Sequence, residues 1–386
     1  MHNRRDFLKK FALLGTAVAL PIHDLFADSP LTPKKVGDGL SVIRLGKDFK
    51  QKVPPRTISI PDVGEFKVLK GDFHMHTLFS DGHVMPKDRV DEAVDNGLDV
   101  IAITDHIEYR PNIGSEKLKL AENNDDHNRS YNFAKEEAEK NELLLVRGTE
   151  ITKKMWHFNA LFVNDVNPIA AAVDDWKAML AVAVDQGGFI HWNHPNWIDR
   201  DSETPPFGLK EGEPLRFFDE IEEARVKGHV HGVEVFNGVS FCPIALDWCN
   251  DRDLAPIAVT DIHESDWNKY GHQNPLRPMT LIFAKDRSLE SVREAFFAKR
   301  TVGWAANMIL GRHTWVEKLF RSSVEIKKND AGLTLHNLSD IPCLIETNGK
   351  SSELLAKETL TIDSSNKITV RNWFIGMKKP LEITVQ

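Results

Sequence analysis

The stretch Leu98–Thr104, LDVIAIT, followed at once by Asp105 and His106, decides the fold. Val100 to Ile103 is apolar without a break, so the segment lacks the alternation of a strand with one wet face. A short run of this kind belongs to a strand buried on both sides, as in a parallel sheet covered by helices. It stops at two side chains that titrate and ligate, which places chemistry at the carboxyl end of the strand. Just upstream, Pro86 to Asn96 carries Val90, Ala93 and Val94 at helical spacing, with Pro86 suited to the first turn and Gly97 to the C-terminal cap. Helix, buried strand and polar turn form one unit.

The unit recurs along the chain. Phe66 to Phe73 leads into His74 and His76 (GDFHMHT), and Leu143 to Val146 stops before Glu150 (GTEI). HFNALFV opens with His157, GGFI leads to His194 (NHP), VHGVEVFN carries Glu234, and LAPIAV ends at Asp261 and His263 (TDIH). Helical patterns at 128–141, 172–186, 214–227, 243–251 and 289–299 fill the intervals. This alternation predicts an α/β fold with a parallel sheet under helices. Functional groups gathered at strand ends predict the active face of a closed α/β barrel.

Nine residues then stand out as metal ligands: His74, His76, Asp81, His106, Glu150, His157, His194, Asp261 and His263. Neutral imidazole mixed with carboxylate suits zinc, manganese or iron better than calcium or magnesium. Nine side chains exceed what one ion takes, so the set predicts two or three divalent ions close together, an arrangement that cleaves phosphate esters by in-line attack. Taken singly, each could be an ordinary buried polar group. Clustered at one barrel mouth without a cation, they would carry a heavy desolvation cost.

The order HxH, SDG (Ser80–Gly82), TDH, GxE, HP and DxH resembles the PHP superfamily, named for polymerase and histidinol phosphatase, over residues 66 to 310. The resemblance implies a distorted (β/α)7 barrel around a two- or three-metal centre. It implies one ion on His74, His76, Glu150 and Asp261, a second on Asp81, His106 and His263, and a third on Glu150, His157 and His194, with Glu150 as the bridge. Asp81, where some relatives carry histidine, points toward small-molecule phosphoesterases rather than histidinol phosphatase. The reaction implied is hydrolysis of a phosphomonoester or phosphodiester, nucleotide-derived substrates included, by a metal-bridged hydroxide. Glu150, Asp81, Asp105 and Arg110 are its expected catalytic groups, with Asp105 equally suited to orienting the histidines, and Lys153 joins Arg110 as a candidate phosphate contact. WNHPNW departs from the commoner AHP form, so Trp192, Asn196 and Trp197 are expected to shape the substrate pocket.

The chain has 386 residues, 41% of them hydrophobic, enough for a soluble barrel and a smaller domain. Its formal charge of −8 and lack of a basic stripe argue against duplex nucleic acid as a partner, leaving a small phosphorylated substrate. Protein partners have no sequence signal. Three cysteines, Cys242, Cys249 and Cys343, make no CxxC pair and no disulfide framework.

NRRDFLKK followed by FALLGTAVALP has the basic and short apolar regions of an export peptide, and Arg4 and Arg5 resemble a twin-arginine signal. A cut after Ala27 removes four basic and two acidic residues and leaves the remainder near −10, exported to the periplasm or envelope with no stable membrane span. Expected organisation is therefore a signal peptide over 1–27, an extended proline-bearing leader over 28–60, a barrel over 61–317, and a C-terminal domain over 318–386. In that last domain short alternating runs separated by NDAG, NLSD, NGKSS and DSSN predict a small antiparallel β-sandwich.

Other residues have plainer expectations. His191 is expected to pack inside the barrel, His83 to sit in a loop at its mouth, and Glu234 to be a barrel-interior carboxylate. Trp304 and Trp315 are expected where the two domains meet, and His336 on a strand with no ligand role. No GxSxG elbow, P-loop or GxGxxG occurs. Two competing functions remain. An amidohydrolase-like metal enzyme would use a bridging carbamylated lysine that the strand ends lack, and a non-enzymatic envelope binding protein would not need an open ligand cluster.

Overall fold

A computed structural model of the protein describes residues 32–36, 40–44, 55–113, 126–153, 156–197, 214–270, 276–330 and 332–385. The expected signal peptide and its cleavage site lie outside them. Within the leader, β1 (Thr32–Val36) and β2 (Leu40–Arg44) pair as an antiparallel ribbon where sequence predicted only extended chain. That ribbon belongs to one compact unit, and residues 55–386 form another. Among the described residues no helix is long and apolar enough to cross a membrane.

The barrel begins with β3 (Lys67–Asp72), α1 (Pro86–Asp95), β4 (Val100–Ile103), α2 (Arg129–Lys140), β5 (Leu144–Lys153) and β6 (Trp156–Leu161). It continues through α3 (Asn167–Ala171), α4 (Trp176–Asp185), β7 (Phe189–Trp192), α5 (Asp219–Val226), β8 (Gly232–Asn237), the short β9 (Ser240–Phe241), α6 (Pro243–Asp251) and β10 (Ala255–Val259). All four residues of β4 are buried, as an uninterrupted apolar run requires. Helix α1 opens at Pro86 and stops because Gly97 takes a φ of +72°, where a Cβ would lie 2.3 Å from the Arg56 carbonyl oxygen.

Seven strands stand in the order β3, β4, β5, β6, β7, β8, β10. Neighbours run parallel except β6, which is antiparallel to both β5 and β7. The ring closes through the turns beyond β3 and β10: His76 N donates to Ile262 O at 3.0 Å, and Asp261 N to His74 O at 2.9 Å. The fold is thus the expected distorted seven-stranded barrel, with one reversed strand and a seam made by the segments that bear His74, His76 and Asp261. Leu69, Phe73, Val100, Phe189, Ile257 and Val259 pack together in one buried apolar cluster. Phe296 of α8 (Leu289–Phe297; the short α7 is Trp267–Tyr270) joins that cluster, meeting Phe73 edge-on with ring centres 4.7 Å apart.

β11 (Met279–Ala284), buried at every position and not anticipated from sequence, pairs antiparallel with β3 and carries the sheet out of the barrel. It continues through β12 (Thr301–Ala305) and β13 (Met308–Gly311). Helix α9 (His313–Ser323) spans the expected boundary at 317/318. The C-terminal strands are β14 (Val324–Asn329), β15 (Gly332–Asn337), β16 (Cys343–Thr347), β17 (Lys350–Leu354), β18 (Thr359–Ile362), β19 (Lys367–Gly376) and β20 (Lys379–Thr384). β14, β15 and β18 form one sheet, while β16, β17, β19 and β20 extend the barrel sheet through β13. Leu333, Leu335, Ile345, Trp373 and Leu381 share a core with Trp304, which sits in the linking sheet as expected. Trp315 stacks on Phe283 of β11 at 4.9 Å. All three cysteines are buried and free.

Candidate metal centre

The two histidines of GDFHMHT leave β3 side by side, and both rings are fully buried. His74 Nδ1 lies 2.7 Å from Glu234 Oε1, so an ionised Glu234 fixes the proton on Nδ1 and leaves Nε2 facing Glu150 Oε2 at 3.0 Å and Asp261 Oδ1 at 3.1 Å. His76 Nε2 is 3.1 Å from the same Asp261 oxygen and 3.2 Å from Glu150 Oε2. His263 Nδ1 bonds the Asp261 carbonyl at 2.9 Å, which turns its Nε2 to Asp81 Oδ2 at 3.2 Å. His106 is held through Nδ1 by Thr152 Oγ1 at 2.7 Å, with Nε2 3.6 Å from Asp81.

Glu150 stands at the middle of this array. It does not follow the end of its strand, as sequence suggested, but lies inside β5, which runs on through GTEIT because it pairs residue for residue with β6. His157 likewise sits near the start of the reversed strand, a position that still delivers it to the same mouth. Its Nδ1 is 3.1 Å from Glu150 Oε1, with His194 Nε2 at 3.8 Å. His194 and Asp261 adopt positive φ, 25° and 50°, an uncommon backbone state for residues other than glycine.

All nine expected side chains converge. Their donor atoms fall into three groups within which every atom lies within 4.8 Å of the others: His76, Asp81, His106, His263; His74, His76, Asp261; and Glu150, His157, His194. His76 thus belongs to two groups, whereas Glu150 touches histidines of all three through its two oxygens. Six imidazoles against three carboxylates form a donor set fitted to ions such as zinc, manganese or iron. Electrostatics agree. Burial would push His74 and His76 down, yet Asp261 and Glu150 hold His74 well above its ordinary value and His76 at about 9. Burial would raise Glu150 and Asp261, but the surrounding imidazoles drive both well below the usual carboxylate range. Burial pushes His157 below its ordinary value, toward the neutral form that metal binding requires. Divalent ions can replace the protons that this packing otherwise draws in.

Several expectations need correction. Asp105 has the orienting one of its two expected roles in this structure: its oxygens accept from Thr77 N (2.7 Å), Ser80 Oγ (2.6 Å) and Thr77 Oγ1 (2.6 Å), so it shapes the turn that presents His76 and Asp81. Arg110 donates to the Phe79 carbonyl at 3.2 Å and abuts His127, outside the cavity over the cluster. Lys153 does not line that cavity either. Trp192 is buried in the core, stacked on Trp248 at 5.4 Å, and Asn196 donates to the Phe241 carbonyl; of the three residues expected to shape the pocket, Trp197 lines the cavity. The cavity, about 430 Å³, is lined by ligand residues together with Thr152 and the exposed rings of Tyr109 and Trp197.

His83 is exposed in its loop and His191 is buried in β7, as expected, and His336 bonds Thr359 on the C-terminal sheet. Glu234 does more than fill the barrel. Besides His74 it accepts from His194 N at 2.6 Å and Asn237 Nδ2 at 2.8 Å, and its carboxyl is held at about 2 despite burial, chiefly by His74 and His191. Its presence in GVEVFN, one carboxylate in an otherwise apolar barrel strand, was the available signal.

Residues 72–189 match the PHP domain family. A two-domain protein of Bacteroides vulgatus, containing a predicted PHP-like metal-dependent phosphoesterase, is similar over both domains: 32% identity, 86% of this chain and 99% of that one, TM-score 0.75. A proposed metal-dependent phosphoesterase of Bifidobacterium adolescentis is 17% identical over 53% of this chain and 90% of its own, TM-score 0.36. An amidohydrolase of Chromobacterium violaceum is 14% identical over 50% and 87%, TM-score 0.35. No curated protein matches the chain.

Proposed function

This chain belongs to the family of PHP-like metal-dependent phosphoesterases, and from that premise we propose that it hydrolyses small phosphate esters at a centre of two or three divalent ions. The observation that carries the reading is the convergence of nine ligand side chains into three adjoining groups beneath one open cavity. His76, Asp81, His106 and His263 would hold one ion, His74, His76 and Asp261 a second, and Glu150, His157 and His194 a third. Ions bound there supply an activated water and positive charge for the phosphate oxygens.

The chain's own residues perform the positioning. Glu234 and the Asp261 carbonyl select the tautomers of His74 and His263, Thr152 fixes the His106 ring, and Asp105 holds the Ser80–Asp81 turn. Among the described residues no lysine or arginine lines the cavity, and ions held by the three groups would supply positive charge there. Tyr109 and Trp197, 55% and 44% exposed, offer apolar faces to the leaving group. Imidazole-rich coordination favours zinc, manganese or iron. The twin-arginine-like leader supports loading before export of the folded protein, to act outside the cytoplasm.

The test offers phosphomonoesters and phosphodiesters beside amides and lactones, with ion-loaded and chelated protein. Phosphate release that requires the ions and vanishes in Glu150→Ala supports the proposal. Cleavage of amides or lactones alone, or phosphate release indifferent to chelation, contradicts it.

A further inference from the structure

Helix α1 carries an arginine that the chemistry above does not use. Arg89 is 1% exposed, and every N–H of its guanidinium has an acceptor. Nε donates to His76 O (2.9 Å); Nη1 to Glu264 O (2.8 Å) and Glu92 Oε2 (2.7 Å); Nη2 to Ile262 O (3.1 Å) and His263 O (2.9 Å). The other Glu92 oxygen accepts from Asp266 N at 2.7 Å, which extends the grip along the same segment. One side chain therefore joins the segment beyond β3, which bears His76 and leads to Asp81, with the segment beyond β10, which bears Asp261 and His263. These are the segments whose mutual hydrogen bonds close the barrel.

We propose that Arg89 is a positioning residue for the ion centre: by holding four carbonyls drawn from both segments it sets the spacing of His76 and His263 about Asp81, and with it the affinity of the group His76, Asp81, His106 and His263. The inference rests on the cluster's being an ion centre, as proposed above. Lysine cannot replace arginine here, because an ammonium offers three donors from a single point and leaves at least two of the five contacts unmade. The group Glu150, His157 and His194 is carried by β5, β6 and the turn after β7, which Arg89 does not touch, and serves as an internal reference.

The experiment measures bound zinc or manganese per chain and ion affinity by chelator competition, on the full chain, for wild type, Arg89→Lys and Arg89→Ala, the last with and without methylguanidinium. Thermal unfolding is followed in parallel. Arg89→Lys is expected to fold, to lose about 10–100-fold in affinity at the groups that share His76, as removal of a residue that orients ligands does, and to keep the ion of the reference group. Methylguanidinium should restore affinity to Arg89→Ala. A folded Arg89→Lys with wild-type affinity, an Arg89→Lys that does not fold, or a folded Arg89→Ala that methylguanidinium leaves unchanged would each overturn the proposal. Wild-type protein that binds no ion would instead remove the reading on which it rests.

Discussion

Replacing Glu234 by glutamine changes one oxygen to an amino group inside a fully buried network. In the native protein one carboxylate oxygen faces His74 Nδ1 at 2.7 Å, and the other receives His194 N and Asn237 Nδ2 at 2.6 and 2.8 Å. Whichever way the glutamine amide turns, its NH2 meets a donor, so at least one bond to an ionised acceptor is lost. Bonds to charged groups contribute about 1.5–3 kcal/mol, which corresponds to a loss of about tenfold to a hundredfold in ion affinity. The loss should fall on the group containing His74 when the NH2 faces Nδ1, whose proton is then no longer fixed, or on the group containing His194 when it faces His194 N. Competition between the protein and a chromophoric chelator reads this directly, and the cobalt-loaded protein should show an altered visible spectrum. A folded Glu234→Gln variant with wild-type affinity and an unchanged cobalt spectrum would refute the reasoning.

Further outcomes follow from other parts of the structure. A Cβ on Gly82 would lie 2.5 Å from the His76 carbonyl carbon and 2.6 Å from Thr77 N, both backbone atoms. Gly82→Ala should therefore cost about 1–3 kcal/mol in overpacking and lower ion content; unchanged thermal unfolding and full ion content would count against this. His231 accepts from Ile190 N through Nδ1, and burial with the neighbouring Lys299 charge lowers its pKa to about 4. Below its unfolded value of about 6.5 the unfolded chain binds the extra proton first. The stability tied to neutral His231 is thus complete above pH 6.5 and is lost as pH falls toward 4, by at most about 3 kcal/mol. Urea midpoints from pH 7 to 4 should fall more steeply for wild type than for His231→Asn, and equal slopes would contradict this.

Much of the barrel was legible because its strands declare themselves by type. VIAI (Val100–Ile103) and LAPIAV are apolar throughout, and each leads into residues that have no place in a core. The nine candidate ligands were legible for the same reason: histidine and carboxylate at several strand ends have few explanations without a cation. What sequence did not reveal depends on pairing across long separations. β5 runs past Val146 to Lys153 only because β6 folds back against it, so Glu150 was placed after a strand that in fact contains it. β11, MTLIFA, lies between two helices like any buried barrel strand, yet it pairs with β3 at the barrel's edge and opens the way into the C-terminal sheet. Arg89 reads as one more charge on an amphipathic helix, since its carbonyl acceptors lie more than 170 residues away except for His76. Asp105 and Arg110 were placed in the chemistry by position alone, and their hydrogen bonds to the Thr77–Ser80 turn and to Phe79 give them local work.

The central claim is an ion centre built from these nine side chains, and the ion content of the purified chain tests it most directly. After loading with zinc or manganese and exhaustive dialysis, elemental analysis should find two or three ions per chain, with Glu150→Ala retaining fewer. Less than one ion per chain in the folded wild type, or an unchanged content in Glu150→Ala, would contradict the account.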